Sequence, residues 1–415
     1  MVYRFVAVAC CLSASILCAQ EPHWNQFRGP QGDGQTAATG LPVTWSDTEN
    51  VRWKIPIHGK GWSSPVVWED RIWVTTASED GKRMSALCVD ADTGKVLHDL
   101  LLYENEKPRF CHPKNSYASP TPYLEAGRVY IHFGSYGTCC LDAKTGKKLW
   151  DRRNIECNHW RAPGSSPIVH GDLLIVAYDG YDQQFVQALN KHTGEDVWRT
   201  DREINYGTDN GDRMKAYSTA KVIQHAGREE LISPSAVATI AYAPETGKEL
   251  WKVYHGGMNA APRPLFAHGM VYITGGSGQS SLIAVRPGGT GDVTGSHVVW
   301  GSGRSTPKRS SQIIVGDLMF MITDDGIAVC VEAKTGKEIW KERLRGEFWA
   351  SPLYADGRIY GFSKEGETPV IAAKDTFELI TTNELPEGIW GSPAVIGKSM
   401  IVRTRGHLYR LEVAE

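Results

Sequence analysis

The feature that most constrains this chain is a nine-residue phrase that it writes repeatedly. It reads DADTGKVLH at 90–98, DAKTGKKLW at 142–150, NKHTGEDVW at 190–198, APETGKELW at 243–251 and EAKTGKEIW at 332–340. A blurred copy ends at Trp300, and AKDTFELIT at 373–381 keeps the spacing without the glycine. Thr-Gly in mid-phrase argues against a helix. A polar stretch closing in Thr-Gly-Lys fits a short hairpin loop, with glycine supplying the positive φ. Five close copies in one chain make this a repeat protein, whose units pack on their neighbours.

Between these turns lies a second recurring element of strand, polar turn and strand. It reads SSPVVWEDRIWVTT at 63–76, ASPTPYLEAGRVYIHF at 118–133 and SSPIVHGDLLIVAYDG at 165–180, with later versions starting at 218, 261, 310, 350 and 391. The copies recur about every 40 to 55 residues, the span of a four-stranded propeller blade. Each blade then has a strand A opening near Ser-Pro, a strand B, a strand C running into Thr-Gly-Lys and a strand D ending in Trp. HLYRLEV at 407–413 supplies strand C of the last copy, and no strand D follows it. NVRWKIPI at 50–57 is a spare strand D at the other end, so the two ends are expected to pair and close a ring of eight blades. Trp53, Trp150, Trp198, Trp251, Trp300 and Trp340 are expected to wedge between blades; His98 replaces Trp in the first blade and predicts a weaker joint there.

Length agrees with repetition, because 415 residues is long for one ordinary core. The net charge of −2, with no basic stripe, argues against nucleic acid as a partner. The N-terminus, MVYRFVAVACCLSASILCAQEP, has Arg4 followed by an apolar run and reads as a secretory signal peptide over residues 1–19. Residues 20–49 then form an N-terminal extension and 50–415 the propeller. No other stretch is apolar enough to span a membrane, so the expected location is periplasmic or secreted.

The repeat resembles that of the pyrroloquinoline-quinone-type (PQQ-like) propeller proteins, over nearly the whole chain after the leader. That group includes quinoprotein alcohol dehydrogenases and an eight-bladed outer-membrane assembly factor. WNQFRGPQGDG at 24–34, with HPKNSYASPTP at 112–122, is most similar to exported propellers of planctomycete-type bacteria. The resemblance implies an all-β eight-bladed propeller. It implies two functions: a binding or scaffold module in the cell envelope, or a quinoprotein dehydrogenase that uses PQQ with Ca²⁺ to oxidise an alcohol or sugar. The Ca²⁺-binding carboxylates of those enzymes are not placed by any motif here, and the chain is shorter than those enzymes. GxSxG, HExxH, P-loop and kinase motifs are absent.

Strand A lines a propeller's channel, and its first residues ring one mouth. Counting three residues back from the Pro position gives Trp62, Tyr117, Gly164, Tyr217, Asn259, Arg309, Trp349 and Trp390. Such a ring either holds a flat anion or a sugar, or plugs the channel by packing on itself. Two D-to-A loops, RFCHPKNSY at 109–117 and ECNHWRAPG at 156–164, carry Cys111, His112, Asn115, Cys157, His159 and Arg161 to the same face. Three readings stay open for them: a Cys111–Cys157 disulfide, a metal or catalytic cluster built on the histidines, or plain rim packing. The disulfide is the expectation and no metal is assigned. Quinoprotein dehydrogenases carry a vicinal disulfide over the quinone, but Cys139-Cys140 lies inside strand C, where adjacent residues point to opposite faces. Cys140 also aligns with Cys88 and Cys330, as a repeated small buried position would. The expected partner at the mouth is an envelope protein, a polymer or a small molecule.

Overall fold

The local hydrogen bonds of the Thr-Gly turn explain why it recurs. In the first copy the Asp90 carboxylate accepts from both the backbone and the hydroxyl of Thr93, while Gly94 N–H reaches the Asp90 carbonyl. Asp142 and Thr145 repeat the arrangement. In the computed structural model, which describes residues 23–278 and 281–414, these turns link strands C and D in five of the eight blades. The predicted leader at 1–19 lies outside the described residues.

The blades start with strand A at Val66–Trp68, Tyr123–Glu125, Ile168–His170, Lys221–His225, Leu265–Ala267, Ile313–Val315, Leu353–Ala355 and Ala394–Ile396. Each continues through three antiparallel neighbours, so the fold is the expected all-β eight-bladed propeller. The ring closes as expected. Val51–Pro56 pairs antiparallel with His407–Leu411 and forms the outermost strand of the last blade.

The repeated Trp bridges blades through a specific contact. Trp53, Trp150, Trp198, Trp300 and Trp340 donate their indole N–H to Ala91, Lys191, Pro244, Ala333 and Lys374, all carbonyls in the next turn of the ring. Trp251 differs and bonds Glu230 in its own blade. His98 keeps a bond of this kind, with Nε2 2.9 Å from the Lys144 carbonyl. Opposite several of these rings, strand C carries a small residue: Cys88 faces His98, Cys140 faces Trp150, Ala188 faces Trp198 and Cys330 faces Trp340, whereas Trp53 faces Arg410. The repeated cysteines are thus small residues beneath a large ring, and all three are fully buried.

The extension has a position that the sequence did not reveal. His23–Trp24 pairs with strand A of blade 1, and Gln35–Thr36 pairs with strand A of blade 7, so the segment between crosses the channel. Buried Arg28 donates to the carbonyls of Asp33 and Gln312. Arg263, also buried, donates to the Phe27 carbonyl at 2.6 Å and to Gln26 Oε1 at 2.9 Å. No helix among the described residues is long and apolar enough to cross a membrane.

Candidate functional site

A belt of hydroxyls connects neighbouring A strands. Thr121 Oγ1 accepts from Ser64 N–H, Ser166 Oγ from Thr121, and Thr219 Oγ1 from Ser166, at 2.9–3.0 Å. On the other side Ser351 Oγ accepts from Ser311 and Ser392 Oγ from Ser351. Each bond uses an oxygen as acceptor and leaves its O–H available to another group.

Above this belt the channel opens into a cup of about 260 Å³, and Phe27 of the crossing segment lies in its lining. Trp62, Tyr217, Arg309, Trp349 and Trp390 line it, with His112, Asn115 and Arg161 from the two loops. Trp62 and Trp390 stack with centroids 4.4 Å apart, and Trp349 meets Trp390 edge-on at 4.9 Å. The Arg309 guanidinium lies 4.1 Å above Trp349, and Lys114 and Lys364 approach the same ring at 5.6 and 5.3 Å. The indole N–H groups of Trp62 and Trp390 are buried without an acceptor.

Four expectations need correction. Tyr117 does not line the cup. Strand pairing begins at Val66↔Trp73 in blade 1 and Tyr123↔Tyr130 in blade 2, which matches Pro65 to Pro122 and puts Ser119 in the place of Trp62. Tyr117 therefore turns into the blade, where it is buried and donates its hydroxyl to the Arg109 carbonyl. The same two-residue slip occurs in blade 5, where Ala261 rather than Asn259 takes the Trp62 position and Arg263 replaces the belt hydroxyl, although Asn259 also lines the cup.

His159 is also turned away. Its ring stacks on Tyr178 at 6.0 Å, and burial pulls its pKa down to about 4. Cys111 and Cys157 are free thiols packed in different inter-blade cores, so the expected disulfide does not form. Burial raises the Cys111 thiol to about 11 and the Cys157 thiol higher still, and neutral thiols are poor metal ligands. Cys139 and Cys140 are buried in separate cores away from the cup. Among the described residues, the cluster of metal-ligand type, His170 with Glu229 and Glu245, lies at the Thr-Gly end of the blades and not at the cup.

The loop residues that reach the cup carry positive charge. Arg161 forks onto Asp212, with Nε–Oδ1 at 3.0 Å and Nη2–Oδ2 at 2.6 Å, and Lys215 holds the same carboxylate. Burial favours the protonated acid, but the bonds and charges of Lys215 and Arg161 outweigh it and lower the Asp212 pKa. Asp324 is likewise tied to Arg309. The His112 pKa falls through burial first and then through the charges of Arg161, Lys114, Lys215 and Arg309, which marks this as a positive mouth. No residue lining the cup is Asp or Glu. A flat anion fits the aromatic wall, but the carboxylate oxygens that Ca²⁺ prefers are missing from the lining. The donor set therefore does not fit a quinone held with calcium.

Fold and cup together define a closed PQQ-like propeller with one aromatic, positively charged mouth. Residues 35–180, 104–231 and 182–415 match the family described as outer membrane protein assembly factor BamB, and the chain belongs to that family. No curated protein sequence matches the chain. Among solved structures, BamB from Moraxella catarrhalis superposes with a TM-score of 0.62 at 15% identity, over 88% of this chain and 98% of that one. A europium-containing methanol dehydrogenase gives 0.67 at 11% identity, over 93% and 90% of the two chains. Quinohemoprotein alcohol dehydrogenase ADHIIG from Pseudomonas putida HK5 gives 0.65 at 11% identity, over 95% and 81%. These likenesses establish the fold and leave function to the residues.

Proposed function

We propose that this protein is a binding module of the cell envelope that holds its ligand in the cup. The observation that carries this reading is the composition of the lining. It combines aromatic rings, cations, amides and hydroxyls, with no acid and no Leu, Ile, Val or Met. Such a surface offers stacking, charge and hydrogen bonds to a ligand and supplies no carboxylate base for chemistry. Membership of a family described by an outer-membrane assembly factor supports an envelope location, and the Arg4-led apolar leader supports export. The test is thermal stabilisation by a panel of ring-bearing anions and their neutral analogues. We expect anions to raise the melting temperature of the natural protein and not of Trp349→Ala or Arg309→Gln. A panel without effect, or with equal effect on the variants, sinks the proposal.

The dehydrogenase reading has the aromatic wall in its favour. Titrating the protein with PQQ and Ca²⁺ tests it: a bound-quinone absorbance with dye-linked oxidation of an alcohol or sugar supports it, and their absence counts against it.

A further inference from the structure

Beside the cup, outside its lining, three aromatic side chains stand in the open. Phe110 is 52% exposed, Trp160 43% and Tyr181 39%. They form a row, with Phe110 and Trp160 centroids 5.6 Å apart and Trp160 and Tyr181 5.5 Å apart. Their planes are tilted by 52° and 40°, so the rings do not cover one another. Soluble surfaces seldom group exposed aromatics without a use. Trp160 is also held in a left-handed conformation at φ 56°, which a bulky residue adopts only when its surroundings impose it. The Asn158 side chain, accepting from Trp160 N–H at 3.0 Å, is part of that restraint.

The row is continuous with the cup. The Phe110 ring meets His112 edge-on at 6.5 Å, and Trp160 precedes Arg161; His112 and Arg161 both line the cup. We propose that cup and row form one track for an acidic oligosaccharide. Its terminal ring sits on Trp349 and Trp390, its acid group lies among Arg309, Lys114 and Lys364, and its following units cross Phe110, Trp160 and Tyr181. This rests on the cup being a ligand site.

Sugar chemistry fits better than a peptide for three reasons. Pyranose rings present C–H faces that stack on indole and phenyl rings, and the track offers rings in succession. The belt hydroxyls have O–H groups to spare for a hydroxyl-rich partner. The cup lining lacks the aliphatic side chains that grip peptide side chains. The acidic character follows from the cations at the mouth: Lys114 forms no ion pair among the described residues, while Arg309 and Lys364 are held by Asp324 and Glu347 at the rim, outside the cup lining.

The experiment is calorimetric titration of the full protein with oligogalacturonates of increasing length, from dimer to hexamer. Neutral cello-oligosaccharides and polyglutamate serve as the other arms. We expect affinity for the acidic series to rise by at least about tenfold with length, and the two other probes to bind at least about tenfold more weakly. Phe110→Ala/Trp160→Ala, at two exposed positions, should keep dimer affinity and lose the gain with length; Trp349→Ala should lose both. A length gain that survives the double variant overturns the track. Polyglutamate binding as tightly as the hexamer overturns the sugar assignment. If no acidic sugar binds, while another ring-bearing anion stabilises the protein in a Trp349-dependent way, this inference fails and the cup reading stands. If nothing binds in a Trp349-dependent way, both fail.

Discussion

Trp198 lays its indole across Gly247 of the next blade and donates its N–H to the Pro244 carbonyl at 2.9 Å. A Cβ on Gly247 would sit 2.4 Å from Trp198 Cε3, at a φ of +69°. The glycine is thus needed twice, for its backbone angle and for the ring above it. Gly247→Ala should cost about 2–4 kcal/mol, combining left-handed strain with overpacking. Gly227, at φ +78° with nothing within 4 Å, is the control, and its Ala variant should lose only about 1–2 kcal/mol. Urea midpoints of the two variants measure the difference.

Closure is tested by shortening the chain. A protein beginning at residue 37 loses the segment that crosses the channel but keeps the strand Val51–Pro56. One beginning at residue 58 loses both. We expect the second to unfold at clearly lower urea concentration than the first, with a less cooperative transition, because an edge of the last blade is left unpaired. Equal midpoints for the full chain and the shorter one would show that the end strands do not hold the ring.

Stability should fall in mild acid. Burial holds His159 and His255 near pKa 4 and His132 near 3, against an ordinary value of 6.5. Between those values the unfolded chain binds protons that the folded chain refuses, so stability rises with pH across that window. At pH 5 each group costs up to about 2 kcal/mol relative to neutrality. Urea midpoints at pH 7 and pH 5 report the loss, and His159→Gln/His255→Gln should flatten it. An unchanged slope in that variant would assign the acid sensitivity to other groups.

The fold was legible because it is written in repeats: the Thr-Gly turn, the Trp after it and the spare strand at 50–57 each had a structural counterpart. The cup was legible only in part. Ser-Pro marked strand A in most blades, but blade 2 offers Ser119-Pro120 and Thr121-Pro122 in succession, and blade 5 offers Pro262 and Pro264. Local chemistry does not choose between prolines two residues apart; pairing with strand B does. That slip put Tyr117 in the ring in place of Ser119. His159 and the two loop cysteines were misread for another reason. Which way a loop side chain turns depends on the neighbouring blade's core, and no spacing rule encodes that. The Phe110, Trp160 and Tyr181 row had a weak signal, since an aromatic sits in each loop, but its exposure was not readable.

The cysteines give a compact check. Cys88, Cys111, Cys139, Cys140, Cys157 and Cys330 are all free, and most are fully buried. Unfolded protein lacking residues 1–19 should titrate as six thiols whether or not it is first reduced. In the folded protein Cys111, the one incompletely buried, should react first. A reductant-dependent count would restore a disulfide.

Trp349→Ala should leave the propeller folded. The ring is half-exposed at the mouth, so its loss should cost less than the roughly 3–5 kcal/mol of a core Trp. Chemical denaturation measures this, and a loss in the full range would make the ring a plug rather than a platform.

The crossing segment also sets an order of events during synthesis. Arg28 finds its acceptor at Gln312, Gly34 hydrogen-bonds Tyr354, and Trp53 pairs with Arg410. The residues that leave the ribosome early therefore wait for the last blades before they have a place to go. Until then the first segment is an unoccupied strand with exposed Trp24 and Phe27, and the unfinished ring has two raw edges. Ring closure and filling of the channel fall together at the end of folding, and such long-range contacts make that step slow. A chain stalled before residue 407 would present both edges at once, the condition in which propeller blades pair between molecules instead of within one.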